Sequence, residues 1–287
     1  MLNEKRPINV GFIGTGNMGG ALATAVNKVF DARLLLTDHD QRKATQLALR
    51  LGRRAIVMDV AAVVAKSDYL LLGVKPQALP ELLETVRPML AARLMPPVLV
   101  SMAAGVSIAR ITEILGITCP PLRIMPNTPV AAGGGVVLYT GANGINVDQL
   151  DQFGKLLGAA GRLVSIPERM MDAGSALSGC GPAFAYLFIE GLADGAVECG
   201  LPRQIATELA AQTVLGAAQM VLSTECTPGE LKDAVCSPGG TTIRGVHALE
   251  RAGLRCAAME AVAAAYEKTC KMAKELADAA YLPIPGK

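Results

Sequence analysis

Tryptophan is absent from this chain, histidine occurs twice, and aromatic residues make up 3% of the total. There is little to stack bases on. With a formal net charge of +2 and Lys and Arg interspersed among acids, the composition argues against a nucleic-acid partner. The two histidines lie far apart in sequence, so no metal is expected. Seven cysteines (Cys119, Cys180, Cys199, Cys226, Cys236, Cys256 and Cys270) are an odd number with no C-x-x-C pair. That argues against a disulfide framework and a zinc site, and for a reducing, cytoplasmic location. No uninterrupted apolar run approaches the roughly 20 residues that span a bilayer, so no membrane is expected. The polar stretch from Met1 to Pro7 has neither the apolar core nor the cleavage site of a signal peptide.

What is present is 51% hydrophobic residue and 30 glycines in 287 residues, enough for two domains. Short apolar runs read as buried strands: Ile8 to Ile13, Arg33 to Thr37, Ala55 to Met58, Tyr69 to Val74, Pro97 to Met102, Leu122 to Met125, Gly135 to Tyr139 and Arg162 to Ile166. Helical spacing lies between most of them, over Gly16 to Phe30, Gln41 to Leu51, part of Pro76 to Leu94, Ser107 to Leu115 and Asp148 to Ala160. Strands apolar on both faces and alternating with helices predict a parallel sheet covered on both sides. The pattern stops near Pro167, and only helical stretches follow, at about 168–177, 182–199, 202–223, 228–235, 241–252 and 255–280. The expected architecture is a doubly wound α/β Rossmann domain over 1–166, then an all-helical domain over 167–287. The segment Ile205 to Leu222 is apolar almost all round, with a polar stripe at Glu208, Gln212 and Gln219. Such a helix needs cover on nearly every side, which predicts a homo-oligomer, at least a dimer, built on these helices, with a self-sufficient bundle as the other reading.

Gly14-Thr15-Gly16-Asn17-Met18-Gly19 is a G-x-G-x-x-G turn between a strand and a helix. The first glycine permits the tight turn, the second lets the backbone approach a pyrophosphate, and the third lets helix and strand pack closely. The helix start offers the anion N–H groups and partial positive charge. These features predict a bound nicotinamide dinucleotide. Asp38 ends the second strand, 24 residues after Gly14, where an acid accepts from the adenosine ribose and repels a 2′-phosphate. His39, Arg42 and Lys43 follow at once and suit that phosphate, so NADPH and NADH both stay open. Asp38 serves equally as a cap for the helix near Gln41.

Further along come Gly73-Val74-Lys75-Pro76-Gln77, Ser101-Met102-Ala103-Ala104-Gly105-Val106 and Met125-Pro126-Asn127-Thr128-Pro129, each at a strand end. Ser178-Gly179-Cys180-Gly181-Pro182-Ala183 opens the helical half. Pro228-Gly229-Glu230-Leu231-Lys232-Asp233 runs into Ser237-Pro238-Gly239-Gly240-Thr241-Thr242. Together these segments resemble the pyrroline-5-carboxylate reductase family, from about Asn9 to Lys274. The lysine-aspartate to serine-proline-glycine-glycine-threonine stretch is the most specific piece.

The resemblance implies reduction of 1-pyrroline-5-carboxylate, a cyclic imine carboxylate, to L-proline by hydride from NADPH or NADH, the last step of proline biosynthesis. It implies a substrate site at Gly239, Gly240, Thr241 and Thr242, with the Thr242 hydroxyl at the ring nitrogen as the catalytic group and Glu225 nearby. A glycine turn opening a helix is an anion nest. Taken alone, Ser-Pro-Gly-Gly is also ordinary turn chemistry, with Thr241 or Thr242 as a helix cap. The resemblance further implies that Lys75, Pro76, Ala103, Ala104 and Asn127 line the cofactor channel, with Ser178 and Cys180 facing the nicotinamide. Cys180 stands where the family usually has serine, and a thiol is the weaker donor. The rival reading is a related imine or 3-hydroxy-acid reductase. The latter needs a lysine in the helices after the sheet, and none occurs between Lys155 and Lys232. A dinucleotide-sensing module would have no use for the second nest.

Overall fold

In the computed structural model, which describes residues 6–29, 31–116 and 119–279, strands and helices alternate from the start. The order is β1 (Ile8–Ile13), α1 (Asn17–Val26), β2 (Ala32–Thr37), α2 (Gln41–Leu51), β3 (Ala55–Val57), α3 (Val60–Lys66), β4 (Tyr69–Leu72), α4 (Leu79–Ala91), β5 (Val98–Ser101) and α5 (Ile108–Leu115). Then follow β6 (Pro121–Pro126), β7 (Gly135–Gly141), α6 (Val147–Leu157) and β8 (Gly161–Ser165). From there only helices remain: α7 (Met171–Ser178), α8 (Gly181–Glu198), α9 (Arg203–Ser223), α10 (Pro228–Ala234), α11 (Thr241–Arg251) and α12 (Leu254–Ala279). The expected ends at Phe30 and residue 280 lie outside the described residues.

The eight strands form one sheet in the order β3-β2-β1-β4-β5-β6-β7-β8. Strands buried on both faces divide their side chains between two cores. Phe12, Leu34, Leu36, Tyr69, Leu71 and Val100 join Leu22 and Val26 of α1 and Phe153 of α6 on one face. Ile13, Leu35, Leu70, Leu72 and Leu99 join Val63, Leu83, Val86 and Ile111 of α3, α4 and α5 on the other. This two-faced burial is why β4 reads as an unbroken apolar run.

Two expectations need correction. The sheet is not wholly parallel: β7 pairs antiparallel with β6, Met125 opposite Leu138, while β8 is parallel to β7. Only Asn127, a short 3₁₀ turn (Thr128–Ala132) and Gly133-Gly134 connect β6 to β7, and a parallel crossover needs a dozen or more residues. Helix α3 was also absent from the sequence reading. Asp59 caps it by accepting from the Ala62 N–H, and Val63 and Val64 are buried beneath it.

The chain divides into two compact units, one reaching Gly179 and including the chain from Tyr266, the other Cys180–Ala265. The last strand ends at Ser165, earlier than that division. Within Cys180–Ala265, α8 packs on α9 through Ala193, Ala206 and Ala210, the only fully buried apolar residues described there. Tyr186, Leu187, Leu209, Leu215 and Leu222 are exposed. Three alanines make a small core for 86 residues, so this unit has apolar faces that its own chain leaves uncovered. The stretches Glu168–Glu198 and Arg203–Ser223 are long and apolar enough to cross a membrane by length and composition.

Candidate active site

The glycine turn sits at the carboxyl edge of β1, and each glycine meets a different constraint. Gly14 has φ +97° and a Cβ there would lie 2.5 Å from the Gly73 carbonyl oxygen, so the ends of β1 and β4 touch backbone to backbone. At Gly19 a Cβ would lie 2.2 Å from the Gly14 carbonyl oxygen. Gly16 is the contrast: a Cβ would meet nothing within 4 Å. Packing within the protein requires no glycine at that position, so the open space in front of it is room for a ligand. Gly16 is also the N-cap of α1, with no side-chain cap and no acid in the first turn. Gly16 and Asn17 are exposed, Met18 is half-buried and Thr15 is buried. A helix start of this kind fits a pyrophosphate, and the surrounding residues fit a dinucleotide.

Asp38 does not cap α2. That cap is Asp40, whose side chain accepts from the Arg42 N–H, because the cap must directly precede the first helical residue, Gln41. Asp38 instead turns back onto the glycine turn. Its Oδ2 accepts from the Thr15 N–H at 2.6 Å and the Thr15 hydroxyl at 3.0 Å. Its Oδ1 accepts from the Asp40 N–H at 3.0 Å and lies 3.0 Å from His39 Nδ1. Burial alone would raise the Asp38 carboxyl, but these hydrogen bonds outweigh it and hold the group below its ordinary value of 3.8. Asp38 is therefore a fixed, ionised carboxylate. It lines a cavity of about 320 Å³ together with Gly14, Val74, Leu82 and Thr85.

At the other strand ends, Lys75 is exposed and Pro76 half-buried just beyond β4, Ala103 is buried and Ala104 half-buried beyond β5. Asn127, at the end of β6, is 7% exposed and already engaged. Its Oδ1 accepts from the Val136 N–H at 2.8 Å and its Nδ2 donates to the Ser178 carbonyl at 2.9 Å. The Ser178 hydroxyl donates back to the Gly174 carbonyl. Asn127 thus fastens β6 to β7 and to the end of α7, a task the sequence reading did not give it. Arg123 is a second fastener that the reading missed. Nearly buried, it reaches Glu168 at 3.2 Å and Asp172 at 3.4 Å, and Glu168 also accepts from the Ile108 N–H. The odd basic residue inside an apolar strand was the signal available for it.

The helical unit holds the second glycine turn. Gly239 has φ +69°, and a Cβ on Gly240 would lie 2.4 Å from the Ser237 hydroxyl. Gly240 is the N-cap of α11, so neither Thr241 nor Thr242 caps that helix. No side chain caps it and no acid stands in its first turn. Thr241 and Thr242 occupy its first two positions with exposed side chains. Glu225 is exposed in the turn between α9 and α10, and Cys180 is an exposed free thiol at the start of α8.

Known proteins resemble this chain along most of its length. The family model for pyrroline-5-carboxylate reductase dimerisation matches residues 168–272, and that for coenzyme F420-dependent NADP oxidoreductase matches 9–105. The pyrroline-5-carboxylate reductase of Methanosarcina acetivorans is 39% identical over 96% of this chain and 100% of its own. The solved pyrroline-5-carboxylate reductase of Coxiella burnetii is 30% identical with a TM-score of 0.83, over 94% of this chain and 98% of its own. That of Plasmodium falciparum, solved with NADP bound, is 30% identical with a TM-score of 0.79, over 93% and 99%. With one glycine-capped helix start in each half and this likeness along nearly the whole length, the chain belongs to the pyrroline-5-carboxylate reductase family.

Proposed function

We propose that the chain reduces 1-pyrroline-5-carboxylate to L-proline, taking hydride from NADH or NADPH, as the closing step of proline biosynthesis. The observation that carries this is a pair of helix starts, α1 and α11, each capped by a glycine and each without a side-chain cap or first-turn acid. One suits a pyrophosphate and the other a carboxylate, the two anionic groups of such a reaction. Gly14, Thr15, Gly16, Asn17, Met18 and Gly19 hold the dinucleotide, with Asp38, Lys75, Pro76, Ala103 and Ala104 around it. Asn127, Ser178 and Cys180 complete that set, Asn127 by holding Ser178 in place. When bound, the nicotinamide supplies the hydride that goes to the imine carbon.

In the helical unit, Gly240, Thr241 and Thr242 bind the substrate carboxylate and orient the ring, with the Thr241 and Thr242 N–H groups as donors because the Gly240 N–H already donates to the Ser237 carbonyl at 3.0 Å. The Thr242 hydroxyl meets the ring nitrogen, which carries the proton in the product. An imine already protonated in water needs no further acid, and positioning then governs the rate. Glu225 contributes negative charge near that ring. The exposed apolar faces of α8 and α9 are covered by a second copy of the chain. Seven free thiols support a cytoplasmic location. Purified protein given millimolar pyrroline-5-carboxylate should oxidise NADH or NADPH and yield proline. Absence of turnover with both cofactors overturns the reading.

A further inference from the structure

We infer that this chain prefers NADH to NADPH, and that Asp38 sets the preference. The inference rests on the proposed dinucleotide site and concerns its adenosine end. The cavity of about 320 Å³ beside Gly14 lies between the ends of β2 and β4 and the face of α4, lined by Asp38, His39, Val74, Leu82 and Thr85. Among the described residues, two carboxylates, Asp38 and Glu81, line it, and no lysine or arginine does. The Asp38 side chain is 4% exposed, and four contacts from Thr15, Asp40 and His39 fix both its oxygens. It can neither swing away nor take up a proton near neutral pH. A ribose 2′-hydroxyl can donate to such a carboxylate in place of the rotatable Thr15 hydroxyl or His39. A 2′-phosphate carries about −1.5 to −2 charges at pH 7 and is chiefly an acceptor, so it meets a like charge in a partly desolvated site.

The basic residues after β2 do not reverse this. Arg42 is held by Asp40, Nε to Oδ1 at 3.1 Å. Lys43 and Arg50 line a separate cavity of about 700 Å³, with Thr15, Gly16 and Asn17. His39 stands nearest the ribose site, and it already faces the Asp38 carboxylate.

The test is calorimetric titration of the full chain with NADH and with NADPH, without imine, followed by kcat/KM with each. NADH is expected to bind about tenfold or more tightly than NADPH. Asp38→Asn is expected to lower that ratio by about tenfold, through a gain in relative NADPH binding. Competition by ADP-ribose and 2′-phospho-ADP-ribose on the unmodified protein gives the same comparison where the variant does not fold. Equal or tighter NADPH binding overturns the inference, and its loss in Lys43→Met would place the phosphate in the larger cavity. NADH preference without turnover of the imine would overturn the proposed reaction and leave this inference standing.

Discussion

The Thr15 N–H donates to Asp38 Oδ2 at 2.6 Å, and the Thr15 hydroxyl donates to the same oxygen at 3.0 Å. The acid at the end of β2 thereby holds the glycine turn at the end of β1 in shape before any ligand arrives. Replacing Thr15 by valine keeps the N–H contact and the side-chain volume and removes one donor. A hydrogen bond to an ionised carboxylate contributes about 1.5–3 kcal/mol. Thr15→Val should lower the stability of the fold within that range, read as a lower melting temperature, and loosen the glycine turn, read as weaker dinucleotide binding by titration.

The same contact sets an acid dependence. Asp38 lies below its ordinary value because the bonds from Thr15 and Asp40 favour the ionised form over the cost of burial. A carboxyl lowered on folding stabilises the native state above its unfolded value, and that contribution is lost as the pH falls through the lower, folded value. The stability difference between the unmodified chain and Asp38→Asn should therefore be present and constant at pH 5–8 and shrink only below about pH 4. Chemical denaturation across that range reads it. A difference that shrinks between pH 5 and 8 would contradict the assignment.

Gly16 and Gly19 separate ligand from fold. A Cβ on Gly16 meets nothing within 4 Å, whereas one on Gly19 lies 2.2 Å from the Gly14 carbonyl oxygen. Gly16→Ala should melt with the unmodified protein yet bind dinucleotide roughly tenfold or more weakly, a loss of about 1.4 kcal/mol or more. Gly19→Ala should lose about 1–3 kcal/mol of stability by overpacking. Equal melting temperatures for the two variants would contradict this division.

Much of this was legible because the signals are local. The glycine turn, the two-faced burial of Leu70, Leu71 and Leu72, and the loss of strand patterning after Ser165 each lie within a few residues. The direction of β7 was not, since a buried strand reads the same parallel or antiparallel. Only the short link from Asn127 to Gly134 reveals it. The start of α2 at Gln41 was legible too, yet Asp38 stands three residues before it, and the cap is the residue directly before the first helical one, Asp40. The work of Asn127 depends on Val136 and on Ser178, 51 residues away, and no local pattern announces a partner at that distance.

The faces of α8 and α9 carry a prediction about assembly. Leu215 and Leu222 are 51% and 65% exposed on α9, where only Ala206 and Ala210 are buried. Covering a leucine stabilises an interface by about 1.5–3 kcal/mol, and a charge in its place costs more when desolvated. Leu215→Glu should shift the assembly toward single chains at micromolar concentration, as read by sedimentation. An unchanged mass would move the interface off this face of α9.

The exposed threonine in the first turn of α11 gives the sharpest test of the chemistry. Gly240 caps that helix and Thr242 has no capping task to lose, so removing its hydroxyl should leave the turn intact. A hydrogen bond to a charged ring nitrogen contributes about 1.5–3 kcal/mol, so Thr242→Ala should lower kcat/KM roughly tenfold to hundredfold. Dinucleotide affinity should stay unchanged, because the glycine turn at Gly14 to Gly19 is untouched. Thr242→Ser keeps the hydroxyl and should restore most of the rate. A merely structural threonine would instead move the melting temperature, with no rescue that follows the hydroxyl. Full activity in the alanine variant would remove Thr242 from the reaction and leave its N–H group alone in the carboxylate nest.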